Sequence, residues 1–474
     1  MQFNSLAFFC FFAISLIIYY SVPVKKGKWL LLLFSLYFYS CFSWSGFLGL
    51  LVIAVVSWIG EVVLEKARKK ELLFVFVALT LLPLIALKYM GLLPGYVLPV
   101  GISFFTLQAV SGMVDVYKQK SKPSGWSEHA LYLSFFPTVV SGPIIRKNAF
   151  LAEIRKTKIF VYEDVRRGLY RIAIGFVEKF FLADRIGKLV DYVYGNSQEM
   201  SGVQIVVATV LFGLQLYYDF AGYSHMAIGF AKCFGITIME NFERPYFSVS
   251  IKEFWRRWHM SLSSWLRDYV YIPLGGSRKG TLRRYINLVI TFMVSGVWHG
   301  VGVNFLFWGF LHGVYQVIED RIFRKRDKKS IVDTGVKTES KIGALKEKGV
   351  ALLRMVVVFT LVDFAWLFFR ASDMTTAMQM VNKIVSGFQV STLFTTWWFD
   401  YGMSKLEYLM WIVVVLGILF FDIMEEKDKE FIAKFEKQKT WLRWSVYAVV
   451  IFVIVTTLVI GMGSDTGSFL YQNF

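Results

Sequence analysis

Leu72-Leu-Phe-Val-Phe-Val-Ala-Leu-Thr-Leu-Leu-Pro-Leu-Ile-Ala-Leu87 carries no charge from end to end and begins one residue past the cationic cluster Lys66, Arg68, Lys69 and Lys70. An uncharged apolar run of that length beside a block of cations is the mark of a membrane span leaving a cytoplasmic loop. The pattern recurs on both sides. Apolar runs occupy residues 6–22, 29–43, 47–64, 97–116, 203–218, 221–234, 286–298, 305–318, 350–369, 408–421 and 445–461. Basic clusters separate them at 25–28, 66–70, 118–122, 146–158, 252–284, 321–348 and 427–443. Of the 474 residues, 56% are hydrophobic and only 18% charged, against about a quarter charged in an ordinary soluble domain, which excludes a typical cytosolic enzyme. The excess of 52 Lys and Arg over 34 Asp and Glu lies in short inter-span clusters, as the positive-inside rule requires, and not in one patch fit for nucleic acid.

These features define an all-α polytopic membrane protein with about twelve spans, forming one membrane-embedded domain over residues 1–474. No charge precedes the first run and three lysines follow it, so it reads as an uncleaved span with its N-terminus outside. Residues 320–349 read as a cytoplasmic basic loop and 463–474 as an extracytoplasmic tail. The stretch between Lys122 and Arg146 holds Pro137, Gly142 and Pro143 and reads as a re-entrant segment, tolerated at depth only if protein satisfies its freed backbone groups. Residues 166–190 mix apolar and charged groups and fit the interface or the interior of the bundle. Runs 203–218 and 221–234 read as a span pair whose outer turn carries Asp219, Tyr223 and His225, facing water or the mouth of an outer cavity. Cys10, Cys41 and Cys233 show no paired spacing, so neither a disulfide framework nor a zinc site is expected.

Polar groups inside apolar segments are costly and therefore point to function. His259, His299 and His312 are three of the five histidines. In Phe254-Trp-Arg-Arg-Trp-His-Met-Ser-Leu-Ser-Ser-Trp-Leu-Arg-Asp-Tyr269, helical periodicity puts Trp255, Trp258, His259, Leu262, Leu266 and Tyr269 on one face and Arg256, Met260, Ser263, Ser264 and Arg267 on the other. That describes a basic amphipathic helix at the membrane surface, with a histidine placed on its apolar side. His299 and His312 are each followed by glycine, which would let a substrate or a backbone approach the imidazole. A buried, neutral imidazole is a suitable general base, which makes His299 and His312 candidates for catalysis. No carboxylate or second histidine stands at ligand spacing, so no metal is expected. Arg256, Arg257, Arg267, Arg283 and Arg284 suit a phosphate-bearing ligand, and equally suit positive-inside anchoring.

Val100-Gly-Ile-Ser-Phe-Phe-Thr-Leu-Gln108, Tyr218-Asp-Phe-Ala-Gly-Tyr-Ser224, Glu253-Phe-Trp-Arg-Arg-Trp-His259, Ile272-Pro-Leu-Gly-Gly276 and Val297-Trp-His-Gly300 together resemble the membrane-bound O-acyltransferase family. The likeness is to its bacterial branch of alginate O-acetyltransferases and teichoic-acid D-alanyl transferases. It implies a ring of tilted helices around a central tunnel, catalysis by His299 in its Trp-His-Gly motif, and a supporting role for His259, where other branches carry Asn or Asp. His312 matches a Trp-Gly-x-x-His-Gly pattern of this branch. The resemblance implies no bound cofactor, acetyl-CoA as a cytoplasmic donor substrate, and a polysaccharide acceptor. It further implies an extracytoplasmic partner such as an SGNH-type acetyltransferase, and a place in the bacterial inner membrane. The tail 463–474 resembles an aromatic C-terminal motif with a central tyrosine, here Tyr471, although Gln472 and Asn473 depart from it. A tyrosine hydroxyl can carry an ester. D-alanyl transfer to teichoic acid, and an acyl transporter or channel without covalent chemistry, are the alternative readings.

Overall fold

Serine caps mark where some of the expected runs begin in the computed structural model, which describes residues 1, 3–88, 98–330, 341–401, 403–428 and 430–461. Helix α1 (Leu6–Ser21) starts where the Ser5 hydroxyl accepts from the Phe8 amide at 3.2 Å. After α2 (Gly27–Ser40), Ser43 accepts from the Gly46 amide at 2.9 Å and opens α3 (Trp44–Ala67), which Arg68 closes in the left-handed conformation at φ 46°. Then come α4 (Lys70–Lys88) and α5 (Ile102–Tyr117); the expected turn between them falls at 91–95, outside the described residues. The expected re-entrant stretch is a short helix, α6 (Trp126–Ser134), followed by irregular backbone buried throughout 135–145. Side chains satisfy part of that backbone: Phe136 N donates to Ser35 Oγ at 3.1 Å, and Tyr132 Oη to the Ile145 carbonyl at 3.2 Å.

Helices α7 (Lys147–Ile154), α8 (Tyr162–Phe176), α9 (Asp184–Gly195) and α10 (Gly202–Cys233) follow, with a π-helical turn at Val177–Ala183. Beyond them lie α11 (Ile251–Arg257), α12 (Met260–Leu266), α13 (Thr281–His299), α14 (Val303–Ser330) and α15 (Lys341–Arg370). The chain ends in α16 (Met374–Ser386), α17 (Trp397–Tyr401), α18 (Lys405–Lys427), α19 (Phe431–Glu436) and α20 (Thr440–Gly461). No strand occurs among the described residues. Six helices, within α3, α4, α10, α15, α18 and α20, are long and apolar enough to cross a membrane, and α1 and α5 are shorter apolar ones. The described flanks of the basic segment 320–349 are helical, and the tail 463–474, with Tyr471, lies outside the described residues.

Two expectations are corrected. The span pair at 203–234 is a single 32-residue helix, α10, so Asp219, Tyr223 and His225 lie along a helix and not at a water-facing turn. Asp219 and Tyr223 are buried there. The physical reason is pairing: Asp219 Oδ1 meets Lys179 Nζ at 2.5 Å, and His225 Nδ1 meets Glu178 Oε2 at 2.9 Å. A neutralised charge needs no turn to carry it to water. Second, the amphipathic helix expected over 254–269 is broken. Helices α11 and α12 flank His259, whose φ of 42° is left-handed and cannot continue a helix.

The chain divides into two compact units. The first contains Met1–Phe181, Tyr218–Glu240 and the described residues from Gln438 on. Within it α8 and the second half of α10 pack backbone to backbone through glycines: a Cβ on Gly222 would lie 2.7 Å from the Gly175 carbonyl oxygen, and one on Gly229 would lie 2.6 Å from that of Gly168. Glu61 of α3 and Lys147 of α7, both almost wholly buried, form an ion pair. Glu61 Oε1 also lies 3.5 Å from His129 Nδ1, and His129 Nε2 meets Ser57 Oγ at 2.9 Å. Gly112 leaves room for the carboxylate, since a Cβ there would sit 2.6 Å from Oε1. Nothing in the sequence singles out this cluster, because Glu61 is one acid in an apolar run and Lys147 one cation in a basic cluster.

The second unit, Leu182–Tyr217 and Asn241–Lys437, holds all three candidate histidines. Its α13 and α14 form a close hairpin: a Cβ on Gly309 would lie 2.9 Å from the Phe292 carbonyl carbon, and one on Gly313 2.8 Å from Val289 Cα. The connection between α15 and α18 is not a plain loop; it contains α16, capped by Asp373 accepting from the Thr376 amide at 2.9 Å.

Removing one member of a buried ion pair strands the other, at a cost of about 3–5 kcal/mol. Lys147→Met is therefore expected to lower the thermal midpoint of the detergent-solubilised protein far more than Lys156→Met, whose partner Glu153 sits in an exposed pair. Equal midpoints for the two variants would show that the buried pair contributes nothing.

Candidate active site

The three histidines are brought into one aromatic nest within the second unit. His259, His299 and His312 are 1%, 3% and 0% exposed. His299 is the last residue of α13, His312 projects from α14, and His259 occupies the break between α11 and α12. The Trp298 ring links the first two, with centroids 6.2 Å from His259 and 4.8 Å from His299. Trp308 links the others, 5.2 Å from His299 and 5.0 Å from His312. Trp366 of α15 stacks on Trp308 at 5.7 Å, and Phe369 lies 5.2 Å from His299.

The backbone break at His259 is held by Asn241. The Asn241 carbonyl accepts from the Met260 amide at 2.9 Å, and its side-chain Oδ1 accepts from the Ser261 amide at 3.2 Å and the Ser261 hydroxyl at 2.8 Å. A backbone N–H can only donate, so the atom facing it is the amide oxygen. His259 Nδ1 lies 3.1 Å from that same oxygen and must carry the proton, which leaves the lone pair on Nε2. His312 has the opposite tautomer. Trp255 Nε1, a donor only, gives its hydrogen to His312 Nδ1 at 3.3 Å, so the neutral ring carries its proton on Nε2. Burial drives the pKa of His259 down to about 3, keeping it uncharged at any physiological pH.

The glycines after the histidines do not open space for a substrate. A Cβ on Gly300 would run into the Phe305 ring, and Gly313 abuts Val289. Both serve the close packing of α13 on α14. Several of the arginines have carboxylate partners. Arg257 pairs with Glu253 at 2.7 Å and Glu426 at 2.9 Å, in a network where Arg244 meets Glu425 at 2.7 Å and Glu426 at 2.9 Å. Arg267 meets Asp268 at 2.8 Å, and Arg284 pairs with Asp320. Arg256 and Arg283 are exposed. Among the described residues, no three His, Cys, Asp or Glu side chains gather as a metal site. Asn241 was not legible in sequence, because it lies 18 residues from His259 in an irregular segment with no periodicity to mark it.

An all-helical membrane chain with a buried histidine at the end of a Trp-His-Gly helix defines a class. The chain belongs to the membrane-bound O-acyltransferase family, which it matches over residues 4–339, and is an O-acyltransferase. It is 34% identical over 401 residues to the Pseudomonas fluorescens protein named "Probable alginate O-acetylase AlgI", covering 81% of this chain and 76% of that one. It is 32% identical over 316 residues to the "Peptidoglycan O-acetyltransferase" of Helicobacter pylori, covering 61% and 57%. With the "Teichoic acid D-alanyltransferase" of Bacillus subtilis it shares 33% over 248 residues, covering 48% and 60%.

The neutral His259 makes stability depend on pH with a definite sign. The unfolded chain protonates this imidazole below its ordinary value of 6.5 while the folded chain stays neutral to about 3. The unfolded state therefore binds more protons across that window, and stability falls as pH drops through it. At pH 5 this group alone removes about 2 kcal/mol. The drop in thermal midpoint from pH 7 to pH 5 is expected to shrink in His259→Asn; an unchanged drop would mean that His259 is protonated in the folded protein.

Proposed function

We propose that the chain moves an acetyl group from a thioester donor on the cytoplasmic side, acetyl-CoA, to a hydroxyl on the outer side, for O-acetylation of an extracellular or cell-wall polysaccharide. The observation that carries this reading is the buried imidazole of His299 at the end of α13, ringed by Trp298, Trp308 and Phe369, in a chain whose wider-ranging matches are to proteins named as O-acetylases. The match to a D-alanyltransferase spans less of the chain, so acetyl ranks above D-alanyl.

In the proposed reaction the acceptor hydroxyl attacks the thioester carbonyl while His299 takes its proton. A neutral imidazole in a dry site is suited to that transfer near neutral pH. His259, its Nδ1–H held by Asn241, orients the acceptor or His299 through Nε2. Arg256 and Arg283, exposed and outside the carboxylate network of Arg257 and Arg244, are the arginines left to meet donor phosphates. The helices form a ring around a tunnel in the inner membrane, with both termini outside, so that only the acyl group need cross. An extracytoplasmic SGNH-type transferase takes the acetyl from there to the glycan.

Purified protein in liposomes with radiolabelled acetyl-CoA tests the reading. Transfer of label to the protein, to a partner or to glycan is expected in the wild type, with a loss of about 1,000-fold or more in His299→Ala at unchanged thermal midpoint. Transfer from a D-alanyl carrier thioester and not from acetyl-CoA would replace the donor assignment. Normal transfer by His299→Ala would remove His299 as the base.

Tyr471 is the proposed relay, its phenol oxygen holding the acetyl between the membrane site and the outer partner. Tyr471→Phe keeps the aromatic ring and deletes only the hydroxyl. Loss of labelled glycan with normal membrane insertion is expected; full glycan labelling in that variant would eliminate the relay.

A further inference from the structure

Two hydrogen-bond donors on α14 are buried with no acceptor among the described residues. Trp308 Nε1 and His312 Nε2 are both without a partner, on side chains that are each 0% exposed. The indole N–H can only donate, and the His312 Nε2 carries a hydrogen because Trp255 occupies Nδ1. Stranding two such donors in a dry interior costs about 1–3 kcal/mol each. They are placed to act together. Residues 308 and 312 are one turn apart on the same face of α14, their rings 5.0 Å apart, and Trp308 reaches to 5.2 Å from His299. Trp366 also has a free indole N–H, but its pyrrole edge faces Gly213 beside the Asp363 carboxylate, an arrangement hostile to negative charge, so it is not counted.

We propose that Trp308 Nε1–H and His312 Nε2–H form a two-donor site for the thioester carbonyl oxygen, strengthening their hold as that oxygen becomes an oxyanion. This rests on the acyl-transfer reading above and gives His312 a role distinct from the base. As the acceptor oxygen bonds to the carbonyl carbon, its proton passes to His299 and the carbonyl π pair moves onto the oxygen held by the two donors. When the intermediate collapses that pair re-forms the carbonyl, the C–S bond breaks, and the thiolate leaves with the bonding pair and takes up the proton. Donors fixed beforehand in a water-free site stabilise the developing charge without reorganising.

The site is tested by steady-state acetyl transfer from acetyl-CoA in Trp308→Phe, His312→Gln and His312→Leu, each checked for its thermal midpoint. Trp308→Phe keeps an aromatic ring and removes the N–H; it is expected to lower kcat on the order of 100-fold with KM for acetyl-CoA within about three-fold, the pattern of a contact made only in the transition state. His312→Gln can present an amide N–H where Nε2–H stood and an amide oxygen to the Trp255 indole, while His312→Leu can do neither, so the two are compared at matched thermal midpoint and KM. The glutamine variant is therefore expected to keep at least 10-fold more kcat than the leucine variant. Full kcat in Trp308→Phe, or equal kcat in the two His312 variants, would overturn the donor site while wild-type transfer upholds the acyl-transfer reading. A wild-type protein that transfers no acetyl overturns both.

Discussion

In helices apolar enough to cross a membrane, every polar group must find its partner inside the protein, because the surrounding medium offers none. That constraint organises this molecule. Asp219 interrupts the apolar character of α10 without interrupting the helix, because Lys179 meets it. Glu61 sits within α3 because Lys147 and His129 gather around it and Gly112 leaves the room. Each cluster ties helices that are distant in sequence, and each would be costly to leave half made.

Against that background, the groups that escape the rule are informative. Around His299 the interior is aromatic, and the rings meet edge to face. His259 and His312 are both neutral imidazoles, yet their partners set them to opposite purposes. The oxygen of Asn241 leaves His259 with an accepting nitrogen, while the indole of Trp255 leaves His312 with a donating one. The left-handed backbone at His259 is local strain kept in place by three bonds to Asn241, a form of strain that proteins retain where position matters more than stability.

The arginines make the opposite point. In sequence, Arg256, Arg257, Arg267, Arg283 and Arg284 suit phosphate binding or positive-inside anchoring alike. In the folded chain Arg257, Arg267 and Arg284 have carboxylates of their own, and the Arg257 and Arg244 network ties α11 to the end of α18. Positive charge counted along a chain says little about the charge a ligand meets, because acids from remote segments neutralise it.

The helical membrane class, the buried side of the 254–269 segment and the motif histidines were legible in sequence. Each depends on local pattern: the length of an apolar run, a periodicity, a short motif. Three matters were decided only by tertiary structure. Whether Asp219 marks a turn depended on Lys179, forty residues away; whether helix continued through His259 depended on Asn241. The tautomers of His259 and His312 depended on which donor or acceptor packing brought to each ring. A sequence states which groups are costly to bury, but the identity of the partner that settles the cost is a property of the fold, because pairing energies act through space between residues with no local relation.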